Sequence, residues 1–297
     1  MSPARNPGYR YRLQLGAEAR GQRALGYLAA RFDHSTPETW AARFDAGEVE
    51  LDGRRAEAAT LLAPGQWLEW NRPPWEEPEV PLRFDVIHED AELLVVAKPS
   101  GLPTAPAGGF FAHTLLTLVQ ARDPEWAPMH RLGRGTSGLV VFARTAEARS
   151  HVQAQLRDHA IEKRYLALAS GQLQPQRIDA PIGPVQHARL GEVFAARADG
   201  RTSQSIVERV WPRGESTLAE VRIVTGRPHQ IRIHLAYAGH PLVGDPLYAN
   251  GGQPLPELPA LPGDGGYLLH AWRLALTHPR DGGRLELEAP PPAQLAI

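Results

Sequence analysis

The stretch HRLGRGTSGLVVFAR, residues 130–144, constrains the fold more strongly than any other part of the chain. Its first half is polar and contains Gly133, Gly135 and Gly138, whereas 139–143 is an apolar run typical of a buried strand. A loop built on such a strand presents its side chains from a rigid base, and its arginines are planar, permanent cations suited to phosphate. Taken alone, the segment indicates either a phosphate-binding loop or an ordinary glycine-rich turn between strands.

The composition is that of a soluble globular protein. The chain has 297 residues, 42% of them hydrophobic and 22% charged, which is enough for two domains. Because there is no cysteine, disulfides and thiolate metal sites are excluded, and a reducing cytoplasmic location is expected. Neither an apolar signal core nor a run of about 18 apolar residues is present, so we expect neither export nor a membrane span.

The charge pattern restricts where a nucleic acid could bind. The net charge is −1, so any such surface must be local. Residues 1–23 carry five arginines against one glutamate, and residues 130–144 carry three arginines and a histidine without an acid. Clusters of this kind are also common on solvated faces. Among 32 basic residues only Lys98 and Lys163 are lysine, which indicates that these two positions require a compact charge on a flexible stem.

Residues 1–70 are predicted to form a small α+β module. Apolar residues at helical spacing from Leu25 to Phe32 predict one helix, and residues 35–40 open a second helix with a capping residue and a proline in its first turn. Residues 48–53 alternate as a strand that enters a turn, and residues 67–70 predict another strand. A segment with four prolines and three glutamates, residues 71–81, is predicted to be a linker.

Residues 82–297 have the composition of one larger domain. They predict a mixed α+β fold on a largely antiparallel sheet, because short strands are abundant and helices are few. The predicted helices are 114–121 and 145–158, and the predicted strands are 93–97, 139–143, 161–168, 203–210 and 216–224, with a further strand that contains His229 and His234.

Several further segments of this domain stand out as motifs. They are KPSGLPT at 98–104, KRYLA at 163–167, TGRPHQIRIHL at 225–235, GHPLVGDPLY at 239–248, and LLHAW at 268–272 followed by THP at 277–279. In this order, together with the loop at 130, they resemble the motifs of the RluA-type RNA pseudouridine synthases, which isomerise uridine in RNA. The likeness covers about residues 82–280. Residues 1–70 resemble an S4 RNA-binding domain, although a generic α+β mini-domain would show a similar pattern.

The resemblance implies a reaction and a set of roles. The isomerisation breaks the N1–C1′ bond, turns the uracil and joins C5 to C1′, so it implies no redox step, no cofactor and no metal. Arg131 resembles the residue that replaces the flipped base in the RNA stack, Tyr165 the ring that packs on uracil and takes the C5 proton, and Arg232 the cation paired with the catalytic carboxylate. The same resemblance suggests RNA or loop contacts for five further residues: Lys98, His130, Arg134, Lys163 and Arg227.

One position departs from the family pattern. The signature HRLDxxTSG is matched at every fixed position except that Gly133 stands where the family carries its catalytic aspartate. Glycine has no side chain that can attack the sugar or remove a proton, and Arg232 would lose its expected partner, which is costly for a buried guanidinium. The acids that could replace this carboxylate are Asp245, Asp123, Glu125 and Asp90, and Asp245 lies in a turn where a structural cap is the simpler role.

The sequence thus leaves two main functional hypotheses. The first is a pseudouridine synthase with a variant active site, acting as a monomer on structured ribosomal or transfer RNA. The second is an inactive member of the family that binds or remodels RNA. A third interpretation, a metal hydrolase using His229, His234 and His240, is disfavoured because their spacing matches no zinc pattern and a strand would turn the first two to opposite faces.

Overall fold

The computed structural model describes residues 5–32, 34–257 and 266–297. The chain divides into two compact units, Met1–Glu77 and Pro78–Ile297, and the division falls within the segment 71–81. Within the described ranges, no helix is long and apolar enough to cross a membrane.

The first unit is a four-stranded antiparallel sheet with two helices. Its second helix begins where the sequence predicts, because the Thr36 hydroxyl accepts a hydrogen bond from the Thr39 amide and Pro37 occupies the first turn. Trp40, Phe44 and Leu68 form part of its buried core. The sequence patterns did not predict the first strand. The elements are β1 (Tyr9–Gln14), α1 (Ala24–Arg31), α2 (Pro37–Asp45), β2 (Val49–Leu51), β3 (Arg54–Arg55) and β4 (Trp67–Arg72).

The second unit is a mixed α+β domain. Its described elements are β5 (Asp85–Glu89), β6 (Leu93–Lys98), α3 (Leu115–Gln120), β7 (Ala127–Pro128), β8 (Ser137–Ala143), α4 (Ala146–Arg157), β9 (Glu162–Ser170), β10 (Gln176–Ile178), β11 (Ile182–His187), β12 (Gly191–Ala196), β13 (Ser205–Arg213), β14 (Ser216–Ile223), α5 (Gln230–Tyr237), β15 (Tyr248–Ala249), β16 (Gln253–Pro254), β17 (Leu269–Thr277) and β18 (Arg284–Glu288). Thr114 and Thr145 cap α3 and α4 with their hydroxyls, as expected for residues of this type.

A ten-stranded sheet, counted over the described residues, runs in the order β10-β13-β14-β9-β17-β8-β6-β5, with β7 paired to β8 and β18 paired to β17. Strand β17 lies beside β9 in antiparallel and beside β8 in parallel orientation. The other pairings recorded in this sheet are antiparallel, so the predicted fold class is confirmed. As a result, the loop before β8 and the middle of β9 lie on opposite sides of strand β17.

The predicted strand containing His229 and His234 is wrong, because Gln230–Tyr237 forms the helix α5 and His229 is its N-cap. All residues from Gln230 to Ala236 are buried, and a helix buried on every side lacks the one-sided apolar pattern that reveals a helix in a sequence. The opposite-face argument about His229 and His234 therefore fails. The two rings instead form hydrogen bonds with different partners. His234 bonds Ser205 and Ala180, whereas His229 bonds Tyr248.

Candidate active site

A cavity in the second unit gathers the residues that the sequence singled out. Its volume is about 100 Å³, roughly the space of three liquid water molecules, so it suits a small planar group rather than a folded stretch of RNA. The loop before β8, strand β9 and the start of α5 supply its walls. Among its lining residues are Arg131, Gly133, Tyr165, Arg227, His229, Arg232 and Tyr267.

Gly133 is exposed at the edge of this cavity and leaves room for a side chain. A Cβ atom built there would lie 3.2 Å from the Tyr267 hydroxyl and 3.6 Å from the Thr136 hydroxyl. Gly133 is not in the left-handed backbone region. An L residue is therefore compatible with this position if Tyr267 shifts by a few tenths of an ångström.

Arg232 is buried and paired with Asp245. Its Nε donates to Asp245 Oδ2 at 2.7 Å and its Nη2 donates to Asp245 Oδ1 at 2.6 Å. Because this bidentate pair is only 2% and 1% exposed, it is well shielded from solvent. Asp245 thus supplies the partner that Arg232 was expected to lose, and it also accepts from the Leu247 and Tyr248 amides.

The third nitrogen of the same guanidinium is unsatisfied. Arg232 Nη1 is buried and has no hydrogen-bond partner among the described residues. The Arg232 Cζ atom lies 4.3 Å from the ring centre of Tyr267, whose hydroxyl is the group closest to a Cβ at Gly133. Such a donor is expensive to leave unpaired. The glycine position and the unpaired donor therefore belong to one region of the cavity.

Tyr165 lies on β9 with 8% of its surface exposed. Burial raises the pKa of Tyr165 to about 12, so the hydroxyl keeps its proton at neutral pH. The ring is available for packing, but a protonated phenol is a poor acceptor for the C5 proton.

The comparisons with known proteins agree on one family. Residues 92–237 match the family model described as RNA pseudouridylate synthase. The chain is 40% identical to an uncharacterised RNA pseudouridine synthase of Synechocystis, over 91% of this chain and 94% of that protein. The chain belongs to the RNA pseudouridine synthase family. The resemblance seen in its motifs is thereby confirmed, and the members of this family are isomerases.

Other relatives support the assignment. RNA pseudouridine synthase 5 of Oryza sativa is 36% identical over 90% of this chain and 82% of that protein. The ribosomal large subunit pseudouridine synthase D of Nitrosomonas europaea is 36% identical over 73% of this chain and 64% of that protein. The structure of human RNA pseudouridylate synthase domain containing 1 shares the fold, with a TM-score of 0.56, 23% identity, and coverage of 74% of this chain and 89% of that one.

Of the two roles expected for Lys98, an RNA contact or a loop contact, the structure shows the loop contact. The side chain is 1% exposed, and its ammonium donates to the carbonyls of Pro99, Leu102 and Arg134 at 2.9, 2.7 and 3.2 Å. Burial, assisted by the Arg134 charge, lowers the pKa of Lys98 to about 7. Lys98 therefore holds the loop at 99–102 against the loop before β8.

His130 is also part of the scaffold rather than a phosphate-binding cation. Its Nε2 accepts the Val141 amide at 3.1 Å, which ties the start of the loop to strand β8. Burial, followed by the charge of Lys163, lowers the pKa of His130 to about 3, so the ring is neutral near pH 7.

The remaining predicted RNA contacts have mixed surroundings. The Arg131 side chain is exposed, and no described residue pairs with it. Arg227 lines the cavity and donates weakly to the Thr202 carbonyl at 3.4 Å. Arg134 lies over the Phe110 ring at 5.2 Å, and Lys163 is half-buried on β9, where burial lowers its pKa. Arg131 and Arg227 are thus the cavity cations available to a phosphate.

Sequence reasoning did not assign a role to His229 or Tyr267, both of which line the cavity. His229 lies in the motif TGRPHQ, but only as a rejected metal ligand, and no pattern marks Tyr267. Asp245 was among the candidate acids. Asp123 and Glu125 pair with Arg144, and Asp90 bonds two histidines, so none of these three lines the cavity.

The described residues contain one group with the geometry to hold a metal ion. His88, Asp90 and His278 bring their ligand atoms within 4.8 Å of one another. Asp90 Oδ2 already accepts from both rings, at 2.6 and 2.9 Å, and Asp90 Oδ1 accepts the Glu92 and Leu93 amides. None of the three lines the cavity, so the arrangement is accounted for as a hydrogen-bonded clamp between two turns.

Proposed function

We propose that this chain converts a uridine of structured ribosomal or transfer RNA to pseudouridine in the cavity described above, in spite of Gly133. The observation that carries the proposal is Arg232 Nη1, a buried donor that has no hydrogen-bond partner among the described residues and belongs to a side chain lining the same cavity as Gly133. A substrate acceptor can satisfy this donor. The site is therefore suited to receive a group with exposed oxygens, as the uracil ring has.

The cavity-lining residues support the remaining steps. A target base in a helix must be flipped out at a cost of a few kcal/mol, and the exposed Arg131 can fill the vacated stack as a planar cation. Tyr165 offers a buried ring face for the uracil, and Arg227 is close enough to the cavity to meet a flanking phosphate. Because the isomerisation requires no redox step, we assign no cofactor and no metal to it.

The small first unit is proposed to be an S4-like RNA-binding domain. It has two helices on a four-stranded sheet, and Arg20 and Arg23 at the start of α1 are exposed. Exposed arginines next to a helix provide a local positive surface in a chain whose net charge is −1. We propose that the protein acts as a monomer in the cytoplasm, where such RNA is found.

A tritium-release assay tests the proposed activity. In vitro transcripts of large-subunit ribosomal RNA and of transfer RNAs, tritiated at uridine C5, are incubated with the purified protein. Joining C5 to C1′ displaces the C5 hydrogen, so tritium should appear in water and pseudouridine should appear in the digested RNA. Tight binding of both RNAs without tritium release would contradict the proposal.

The lack of a side chain at Gly133 favours a second candidate function, an RNA-binding family member without turnover. This alternative predicts that the same transcripts bind, with an affinity that falls as salt rises, while no pseudouridine forms. The two functions are separated by the same experiment.

A further inference from the structure

His229 has an unusual backbone conformation at the cavity. It precedes α5 as the N-cap residue with φ of 55°, in the left-handed region, and its side chain caps no amide. Non-glycine residues in this region are uncommon and strained, and they concentrate at functional sites. Capping therefore does not explain why a histidine occupies this position. His229 is also one of the residues that line the cavity.

The hydrogen bonds of the ring define which nitrogen carries the proton. His229 Nδ1 lies 2.8 Å from the Tyr248 hydroxyl, and that hydroxyl donates its single hydrogen to the Phe194 carbonyl at 2.8 Å. The hydroxyl must therefore accept from Nδ1–H. In a neutral ring the lone pair is then on Nε2, and no described residue forms a hydrogen bond to that atom.

No other described side chain of the cavity can accept a proton readily at neutral pH. The other polar lining residues are arginines, which cannot be deprotonated, and hydroxyl and amide side chains, which are not bases. Asp245 is 1% exposed, and both of its oxygens are used by Arg232 and by backbone amides. His229 is thus the one basic group among the cavity-lining residues that the structure describes.

We propose that His229 Nε2 replaces the missing carboxylate by removing and returning the proton on C2′ of the target ribose. This role rests on the proposed synthase activity. As the N1–C1′ bond breaks, its electron pair leaves with uracil N1, the C2′–H electrons form a C1′–C2′ double bond, and Nε2 takes the proton.

The second half of the reaction returns the proton to the ribose and joins the uracil to C1′ again. After the uracil turns, the C1′–C2′ double bond takes the proton back from Nε2 at C2′, and the C5 position of the uracil anion forms the new bond to C1′. The C5 proton is then lost to water, and N1 takes up a proton. The net result is an isomer of uridine with His229 regenerated.

The surroundings suit a base that must also give its proton back. Burial, followed by the charge of Arg232, lowers the pKa of His229 to about 4, close to the ordinary aspartate value of about 3.9. The ring is therefore neutral at pH 7 and about as basic as the carboxylate that it replaces. An imidazolium is unfavourable here because burial and the charges of Arg232 and Arg131 outweigh the opposing charge of Asp245, and this drives the return of the proton.

An isotope experiment on the wild-type protein tests the proton transfer directly. In vitro transcripts of large-subunit ribosomal RNA and transfer RNAs are made with uridine carrying deuterium at C2′, and the product nucleosides are analysed by mass spectrometry. We expect slower turnover than with unlabelled RNA and partial loss of C2′ deuterium from the pseudouridine, because an imidazolium N–H exchanges with water. Pseudouridine with full deuterium retention and no rate difference would overturn the role of His229.

The variant His229→Gln provides the second measurement. It should bind the same transcripts with unchanged affinity but form pseudouridine at least about 100-fold more slowly, the loss typical of a missing general base. In the wild type, kcat/KM should be constant from pH 8 to about 5.5 and fall as the pH approaches 4. The matched control is His151→Gln, at an exposed histidine on α4, which should keep wild-type turnover.

The outcomes separate the two proposals. If wild-type protein forms no pseudouridine on either RNA, the proposed function fails and the role of His229 fails with it. If wild type is active and the folded His229→Gln variant retains more than about a tenth of that activity, only the role of His229 is overturned.

Discussion

Gly133 and Arg232 together explain what is unusual about this site. The motif resemblance predicts a carboxylate at the Gly133 position, whereas in the structure Arg232 pairs with Asp245 and its Nη1 has no partner among the described residues. The bidentate pair gives the buried guanidinium an opposite charge. Glycine at position 133 therefore does not leave the buried charge of Arg232 without a carboxylate.

We predict that Gly133→Asp increases pseudouridine formation by about tenfold or more. The backbone at this position accepts a side chain, and a carboxylate there would be near Arg232 in the cavity. The rate is measured by tritium release, with Gly133→Ala as the control that adds a Cβ atom but no carboxylate. A folded aspartate variant no faster than the alanine variant would contradict this account of the glycine.

Strand β17 is the element that assembles the cavity. It pairs with β8 on one side and with β9 on the other, so it brings the loop that contains Gly133 near Tyr165. The contact with β8 is very close at Gly138, whose φ of 107° belongs to a region that side chains rarely adopt. A Cβ there would lie 2.2 Å from the Ala271 carbonyl oxygen. Glycine at this position is therefore a requirement of the parallel junction.

We predict that Gly138→Ala destabilises the second unit by about 3 kcal/mol or more, because backbone strain and overpacking add at one site. Gly133→Ala, at a position with ordinary φ and a nearest neighbour at 3.2 Å, should cost less than about 1 kcal/mol. The stability of both variants is measured by hydrogen exchange of the β8 amides. Equal protection in the two variants would show that the β8–β17 junction is not constrained by Gly138.

The protein as a whole carries almost no net charge, and much of its arginine is neutralised locally. In the first unit, Arg10 and Arg12 pair with Glu69, and Arg5 lies 3.9 Å from Glu76. Arg20 and Arg23 are exposed. RNA affinity from this unit should therefore depend on a few arginines rather than on the basic composition of residues 1–23.

We predict that the double variant Arg20→Gln and Arg23→Gln weakens RNA binding at low salt. If both arginines meet phosphates, the slope of log K against log salt should decrease in magnitude by about 1 to 2. Filter binding of ribosomal RNA transcripts over a salt series measures the slope. Arg10→Gln is the control, since Glu69 already opposes that charge, and an equal effect of this control would contradict the assignment.

The fold class and the reaction family could both be predicted from the chain before any tertiary contact was known. The run at 139–143 predicts a buried strand by local pattern, Thr145 predicts a helix start by its own hydroxyl, and the motifs around 130, 163 and 225 identify the family by residue type and order. These features are local, because they depend on neighbours along the sequence and on side-chain chemistry.

Other features depend on contacts between distant segments. Helix α5 was predicted as a strand because its surroundings bury it on every side. For Lys98 the sequence left RNA contact and loop contact open, and three backbone carbonyls around its ammonium show the loop contact. His229 Nε2 carries the lone pair of the neutral ring because Nδ1 donates to the Tyr248 hydroxyl, and that hydroxyl donates to the Phe194 carbonyl. The charge, partner and available atoms of a polar side chain depend on what the packed chain places around it, and sequence patterns carry little of that information because those neighbours are remote along the chain.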